Sequence, residues 1–350
     1  MSGQPERSRL RPEGPRLRPE PPRLRAVAIV GPTAAGKSGL ALQLAERFEQ
    51  SILCCDSVQV YRGLDIGSAK PSAAEQSRVP HALLDLVDPD QSFTSGNYGE
   101  LARAQLERGP AIFCGGTGLY LRAAGWTHSG TEVAVEAGAG ACSPDRAIDN
   151  GESIRATFDR DWMDREASDA GAVHRAVAAL DPETAAGIHP KNVVRGLRAL
   201  WLCKLHNEPI SAVRRRDPPR PLVDLLMIVI DPGVAAVDEA IDRRCEAMLT
   251  HGWVAEVEKL RAAGYDARHK AMRSLGYREL LEHMAGQTTL KQATQAIQRA
   301  TRKYARRQRT YFRHQFRDLM PMDRIVHIDH AAACPVARVA EFLGSPESLP

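Results

Sequence analysis

The residues with the clearest capacity for chemistry are Gly31, Pro32, Thr33, Ala34, Ala35, Gly36, Lys37 and Ser38, the stretch GPTAAGKS. They match GxxxxGK[ST], in which glycines let backbone N–H groups converge on phosphate oxygens, the lysine neutralises charge and the hydroxyl ligates a metal ion. Lys37 and Ser38 take those roles, and Mg²⁺ is the implied cofactor. The pattern specifies linked phosphates but does not separate ATP from any other diphosphate ester. A second candidate is Asp56, which opens DSVQVYRGLDIGSAKP directly after the apolar run SILCC. Ligands of open α/β sheets lie at the carboxyl ends of strands, so Asp56 should face the bound phosphates. It could sit near the metal or accept a proton from an approaching nucleophile; a turn or capping role is the plain alternative.

The text around these residues supplies elements that could position them. AVAIV, SILCC, ALLDLV and AIFCGG are short apolar runs, each followed by turn residues and helical spacing, which predicts an α/β fold: a P-loop NTPase-like parallel sheet flanked by helices. From about Thr127 to Ser153 the residues turn small and acidic. AVHRAVAALDPETAAGI and NVVRGLRALWLCKL then read as helices of a small inserted subdomain, and LLMIVI at Leu225–Ile230 returns the chain to the sheet. The division expected is a disordered Arg/Pro-rich arm over 1–25 and a core of 26–126 and 216–330. The linker and inserted subdomain take 127–215, and 331–350 form a tail. With 43% hydrophobic and 26% charged residues and no apolar run near the roughly 18 residues of a membrane span, the 350-residue chain reads as soluble. Its seven cysteines show no zinc-ligand spacing, which fits a reduced, cytoplasmic protein.

A net charge of +4 is mild, but the basic residues cluster in TRKYARRQRTYFRHQFR. On a helix starting near Leu290, Arg302, Arg306, Arg309, Arg313 and Arg317 recur at three- or four-residue steps and form one stripe, with Tyr304, Ala305, Phe312 and Phe316 on another arc. Such a rail, almost free of acidic residues, repels itself unless a polyanion lies nearby.

DSVQVYRGLDIGSAKP, VPHALLDLVDP at Val79 and GGTGLYLRA at Gly115 resemble, in order and spacing, the signature blocks of the tRNA dimethylallyltransferases of bacterial type. IHPKNVVRGLRAL, AIDRRCEAML, MRSLGYRELL and TRKYARRQRTYFR extend the resemblance over roughly residues 26–317. It implies transfer of a dimethylallyl group from dimethylallyl diphosphate to N6 of the adenosine 3′-adjacent to the anticodon. The partners implied are the tRNA anticodon stem-loop and dimethylallyl diphosphate, with no membrane and a monomeric enzyme. On that resemblance the P-loop grips a leaving group, Asp56 is the base, and Thr33 and Arg244 help bind the diphosphate. It places Asp56, Ser57, Val58, Gln59 and Thr117 where the target nucleotide enters. It also assigns tRNA contacts to Arg155, to Val194, Arg195, Gly196, Leu197 and Arg198, and to Arg273, Ser274, Leu275, Gly276, Tyr277 and Arg278. The block Arg306, Arg307, Gln308, Arg309, Thr310, Tyr311, Phe312 and Arg313 completes the set. Tyr277 is open to two readings, a platform for an unpaired base or a core tyrosine. The rival functions are a small-molecule kinase and an RNA-stimulated NTPase using the same loop for ATP.

Overall fold

The computed structural model describes residues 24–127, 148–149 and 152–344. Within them the chain runs β1 (Leu24–Val30), α1 (Lys37–Arg47), β2 (Ser51–Cys54), α2 (Ala73–Arg78), β3 (His81–Ala82), α3 (Ser95–Leu106), β4 (Ala111–Cys114) and α4 (Gly118–Gly125). A short antiparallel pair follows, β5 (Ile148–Asp149) with β6 (Glu152–Ser153). Five helices come next: α5 (Ile154–Ser168), α6 (Ala172–Leu180), α7 (Pro182–Ala186), α8 (Val193–His206) and α9 (Ile210–Arg216). The chain then forms β7 (Val223–Ile230), α10 (Val234–Thr250), α11 (Trp253–Ala262), α12 (Tyr277–Met284), α13 (Leu290–His314), β8 (Ile325–Ile328) and α14 (Val336–Leu343).

The main sheet has the order β3-β2-β4-β1-β7-β8 with every pair parallel. β1 lies between β4 and β7, which explains why AVAIV is a continuous apolar run: a central parallel strand is covered on both faces. Ala26, Ala28 and Val30 point into one core and Val27 and Ile29 into the other. All loops that matter for chemistry leave the carboxyl edge of this sheet. They are 31–36 after β1, 55–60 after β2, 115–117 after β4 and 231–233 after β7.

The inserted subdomain is closed at its stem. Thr127 N–H donates to Arg220 O and Leu222 N–H to Gly125 O, so the insertion leaves at 127 and rejoins at 220. Its helices enclose a separate small core around Val173, Val177, Leu197 and Leu200. Asp181 divides the helical run AVHRAVAALDPETAAGI by capping α7, accepting from Thr184 N–H and Ser211 N–H.

Three expectations are corrected here. ALLDLV is not a strand beyond Ala82: Leu83 and Asp85 adopt left-handed φ of 67° and 51°, and the amides of Asp85 and Leu86 bond to the carbonyls of Gln59 and Val60. The arm ends earlier than 25, since Leu24 and Arg25 already pair with Val223 and Asp224; residues 1–23 lie outside the described residues. The segment after 330 is not simply a tail, because α14 buries Val339, Ala340 and Phe342 against the second core. Most of the divergent 127–153 stretch lies outside the described residues.

Candidate active site

The phosphate loop owes its course to two glycines. Gly31 has φ 140°, and a Cβ there would stand 2.1 Å from the carbonyl oxygen of Ile230; Gly36, the residue before α1, is left-handed at φ 88°. Lys37 Nζ donates to Pro32 O at 2.7 Å, folding the lysine back over the loop. Protein surrounds its ammonium, and this burial lowers its pKa to about 8. Cys114 and Asp56 act to raise it and Arg244 to lower it further. Ser38 lines the same cavity, with the Cys114 thiol beside it.

Across the cavity, Asp56 follows β2. Its Oδ1 accepts Val58 N–H at 2.8 Å, so the turn role weighed from sequence is real, yet the carboxylate still lines the cavity. Thr117 does not cap α4 with its side chain. Its Oγ1 accepts Ser57 N–H at 3.0 Å instead, tying the β4 loop to the residue after Asp56. Arg244, on α10, reaches Thr33 Oγ1 at 3.4 Å. Burial lowers its pKa, Asp56 opposes that shift, and among the described residues no carboxylate pairs with it. A half-buried guanidinium without a carboxylate partner beside a phosphate loop is a site prepared for an anion.

Two cavities meet here. The inner one is lined by Lys37, Ser38, Gln59, His81 and Cys114; the wider outer one by Ser57, Val58, Arg273, Ser274, Leu275, Arg278, Lys303 and Arg307. Thr33, Asp56, Ser68, Arg244 and Tyr304 line both. Asp56 therefore stands at the junction of a chamber bordered by the phosphate loop and a cationic vestibule. Tyr304 is a site residue that the sequence pattern missed, because its place on the apolar arc suggested packing. Burial raises its pKa, with Asp56 adding to the rise and the nearby Thr117 side chain opposing it.

The remaining tRNA-assigned residues scatter. Val194 is 77% exposed, and Arg195 and Arg198 are exposed beside it on α8. Gly196 and Leu197 face inward, the former so close that a Cβ would meet Val173 at 2.6 Å. Arg155 turns into the subdomain, paired with Asp159 at 2.8 Å and stacked over Trp201 at 5.2 Å. Thr310 bonds Arg306 O within its own helix, Tyr311 lies against Gly118, and Phe312 stacks on Phe316 in the core. Arg313 is exposed.

One chemical argument made from sequence needs correction, and one reading left open between two alternatives is decided. The basic rail has intramolecular carboxylate partners: Arg302 bonds Asp242 at 2.5 Å, Arg306 bonds Asp238 at 3.0 Å, and Arg309 holds Asp231 through two bonds of 2.6 Å. Self-repulsion along the stripe is thus relieved by α10 and the loop before it, without a polyanion. The other is Tyr277. It is fully buried, edge-on to Trp253, and donates to Glu256 Oε1 at 2.7 Å, so it is a core tyrosine and offers no platform for a base. Gly276 is required there, since a Cβ would meet Trp253 at 2.1 Å.

The same Glu256 accepts the amides of Asp65, Ile66 and Gly67 at 2.9, 2.6 and 3.2 Å, fixing the loop that carries Ser68 to the cavity. Replacing Glu256 by Ala strands three amides and a phenol. We expect a loss of about 2–4 kcal/mol, read as a lowered urea midpoint at unchanged slope. A midpoint within experimental scatter of the parent would show that water replaces this carboxylate.

A six-stranded parallel sheet with a phosphate loop after its central strand, and with an acid and an unpaired guanidinium facing that loop, defines a P-loop NTPase-like enzyme of phosphate-ester chemistry. More specifically, the chain belongs to the IPP transferase family, whose model matches residues 59–315. A tRNA dimethylallyltransferase of Geobacter metallireducens is 40% identical over 83% of this chain and 89% of its own length. The solved tRNA isopentenylpyrophosphate transferase of Bacillus halodurans is 28% identical with a TM-score of 0.59, covering 92% of this chain and 95% of that one. A eukaryotic dimethylallyltransferase acting on tRNA shares the fold at a TM-score of 0.71 and 20% identity, over 90% of this chain and 78% of that one.

Proposed function

We propose that the chain transfers the dimethylallyl group of dimethylallyl diphosphate to N6 of the adenosine 3′-adjacent to the anticodon of tRNA, releasing diphosphate. The single observation carrying this reading is the pair of joined cavities with Asp56 at their junction. A diphosphate held by the phosphate loop, Lys37 and Arg244 occupies the inner chamber, and an unstacked adenine enters from the vestibule lined by Arg273, Arg278, Lys303 and Arg307. Extruding a base from a single-stranded loop costs a few kcal/mol, which the cationic contacts offset. N6 attacks the allylic carbon, the carbon–oxygen bond to diphosphate breaks, and Asp56 takes the N6 proton. Negative charge develops on the departing oxygens, where the Lys37 ammonium and Arg244 guanidinium already stand.

Ser38 Oγ beside Lys37 suits a Mg²⁺ ion held chiefly by diphosphate oxygens and water. That ion needs few protein ligands, and among the described residues no cluster of three acidic, His or Cys side chains offers more. When bound, the metal supplies charge neutralisation to the leaving diphosphate. The reading places the enzyme in the cytoplasm as a monomer, in keeping with free thiols at Cys54, Cys55, Cys114, Cys203, Cys245 and Cys334. Among the described residues no helix is long and apolar enough to cross a membrane.

The test uses unmodified tRNA with prenyl-labelled dimethylallyl diphosphate, and γ-labelled ATP in parallel. Label should pass to tRNA from the prenyl donor, stop on addition of EDTA and resume with Mg²⁺. Transfer of label from ATP alone would sink the reading; EDTA-resistant transfer would sink the metal.

A further inference from the structure

Gln308 lies in the block that resemblance assigns to tRNA contact, yet its side chain is occupied within the protein. It is 5% exposed, on the inner face of α13. Oε1 accepts Thr33 N–H at 2.8 Å, and Nε2 donates to Gly116 O at 2.9 Å. One partner is a donor and the other an acceptor, so only one orientation of the amide satisfies both. The site is shaped for it: a Cβ on Gly116 would stand 2.0 Å from Nε2.

The two anchored loops belong to the two sides of the reaction. Thr33 lies in the phosphate loop, and its hydroxyl meets Arg244. Gly116 precedes Thr117, which holds Ser57, the neighbour of Asp56. The helix that supplies Gln308 also sends Lys303 and Arg307 into the vestibule, and Tyr304, one turn earlier, into the junction. A single amide thus spans the diphosphate side, the acceptor side and the helix facing the RNA.

We propose that Gln308 is a positioning residue, which locks the phosphate loop to the acceptor loop and so sets the separation of the leaving diphosphate from Asp56. It acts through backbone and does not touch tRNA. This inference rests on the prenyl-transfer reading and adds to it what registers the two substrates against each other. Misplacement of reacting groups by about 1 Å costs on the order of 100-fold in rate, and no new contact with either substrate is lost.

Gln308→Met keeps the volume and removes both bonds. Its kcat should fall about 30- to 100-fold at saturating substrates, with tRNA Kd within about twofold of the parent in a filter-binding assay. Gln308→Glu discriminates geometry from bulk folding within one protein. Ionised, it still accepts from Thr33 but repels the Gly116 carbonyl; protonated, it regains the donor. At this 5% exposed position burial disfavours the charged form and lifts the introduced carboxyl above the usual range, so its kcat relative to the parent at the same pH should rise as pH falls from 8 to 6, while its melting temperature is followed alongside. Parent-like kcat in Gln308→Met would overturn the proposal. So would a tenfold loss of tRNA affinity with parent-like kcat at saturation, or a pH-independent deficit in Gln308→Glu. The parent chain run in the same assay keeps the two levels apart: no transfer by the parent overturns the underlying reading, whereas transfer by the parent and by Gln308→Met alike overturns only the role of Gln308.

Discussion

Asp56→Asn should lower single-turnover prenyl transfer by about 10²- to 10⁴-fold while leaving tRNA affinity within about twofold, because it removes the base and little else. The amide oxygen of Asn can still accept Val58 N–H, the bond of 2.8 Å that shapes the loop after β2. The loop therefore keeps its form, and with it the Ser57 amide held by Thr117. Electrostatics point the same way. Asp56 is the anion that Lys37 and Arg244 both sense, so its neutralisation leaves the diphosphate chamber more positive. Dimethylallyl diphosphate should bind Asp56→Asn at least as tightly as it binds the parent, and the loss should fall on kcat. Single-turnover transfer with excess enzyme, together with equilibrium binding of both substrates, separates these terms. A parent-like transfer rate would remove Asp56 from the chemistry. Lost tRNA binding with parent-like turnover at saturation would make it a recognition residue.

The parts of this site that were legible in the sequence are those fixed by local backbone geometry. The phosphate loop announces itself because Gly31 must pass beside the Ile230 carbonyl and Gly36 must turn left-handed into α1; no other residue types do both. Asp56 was legible because a polar residue directly after a buried strand has one place to go, the carboxyl edge of the sheet. The misread parts all depend on partners distant in sequence. The arginine stripe of α13 reads as unbalanced charge until α10 is laid against it, bringing Asp238 and Asp242 from about 60 residues away. Periodicity placed Tyr304 among apolar neighbours and could not show that a half-buried phenol on that arc reaches Thr117. Tyr277 is equally typical of a core and of a base platform until Glu256 appears beneath it. ALLDLV failed differently: its composition suits a strand, but the loop of Gln59 and Val60 takes the amides a strand would have used. The strand β8 and helix α14 are each short, four and eight residues, and leave too little periodicity to read.

Lys37→Met should produce opposite changes in activity and stability, a combination that a structural lysine would not give. Loss of one preorganised charge from the developing oxyanion costs about 10²- to 10³-fold in transfer. For stability, burial holds the Lys37 ammonium at about 8 against its usual 10.5. Between those values the unfolded chain carries a proton that the folded chain does not, so stability of the parent rises with pH across that window. Below about 8 both states are protonated and the folded state bears the full desolvation cost. Each pKa unit is worth about 1.4 kcal/mol, and the partial exposure of the lysine stem and the lost bond to Pro32 O reduce the net effect. Lys37→Met should accordingly be about 1 kcal/mol more stable than the parent in urea at pH 7, and the advantage should vanish by about pH 10.5. The parent should also lose affinity for dimethylallyl diphosphate as pH rises above 8, since free enzyme then presents a neutral amine to the anion. Bound diphosphate returns the proton to Lys37, so binding near pH 9 should take up protons and its enthalpy should vary with the ionisation enthalpy of the buffer. A Met variant less stable than the parent at pH 7, or a parent affinity flat between pH 7 and 10, would mean that the ammonium is more freely hydrated than its place beneath the phosphate loop implies.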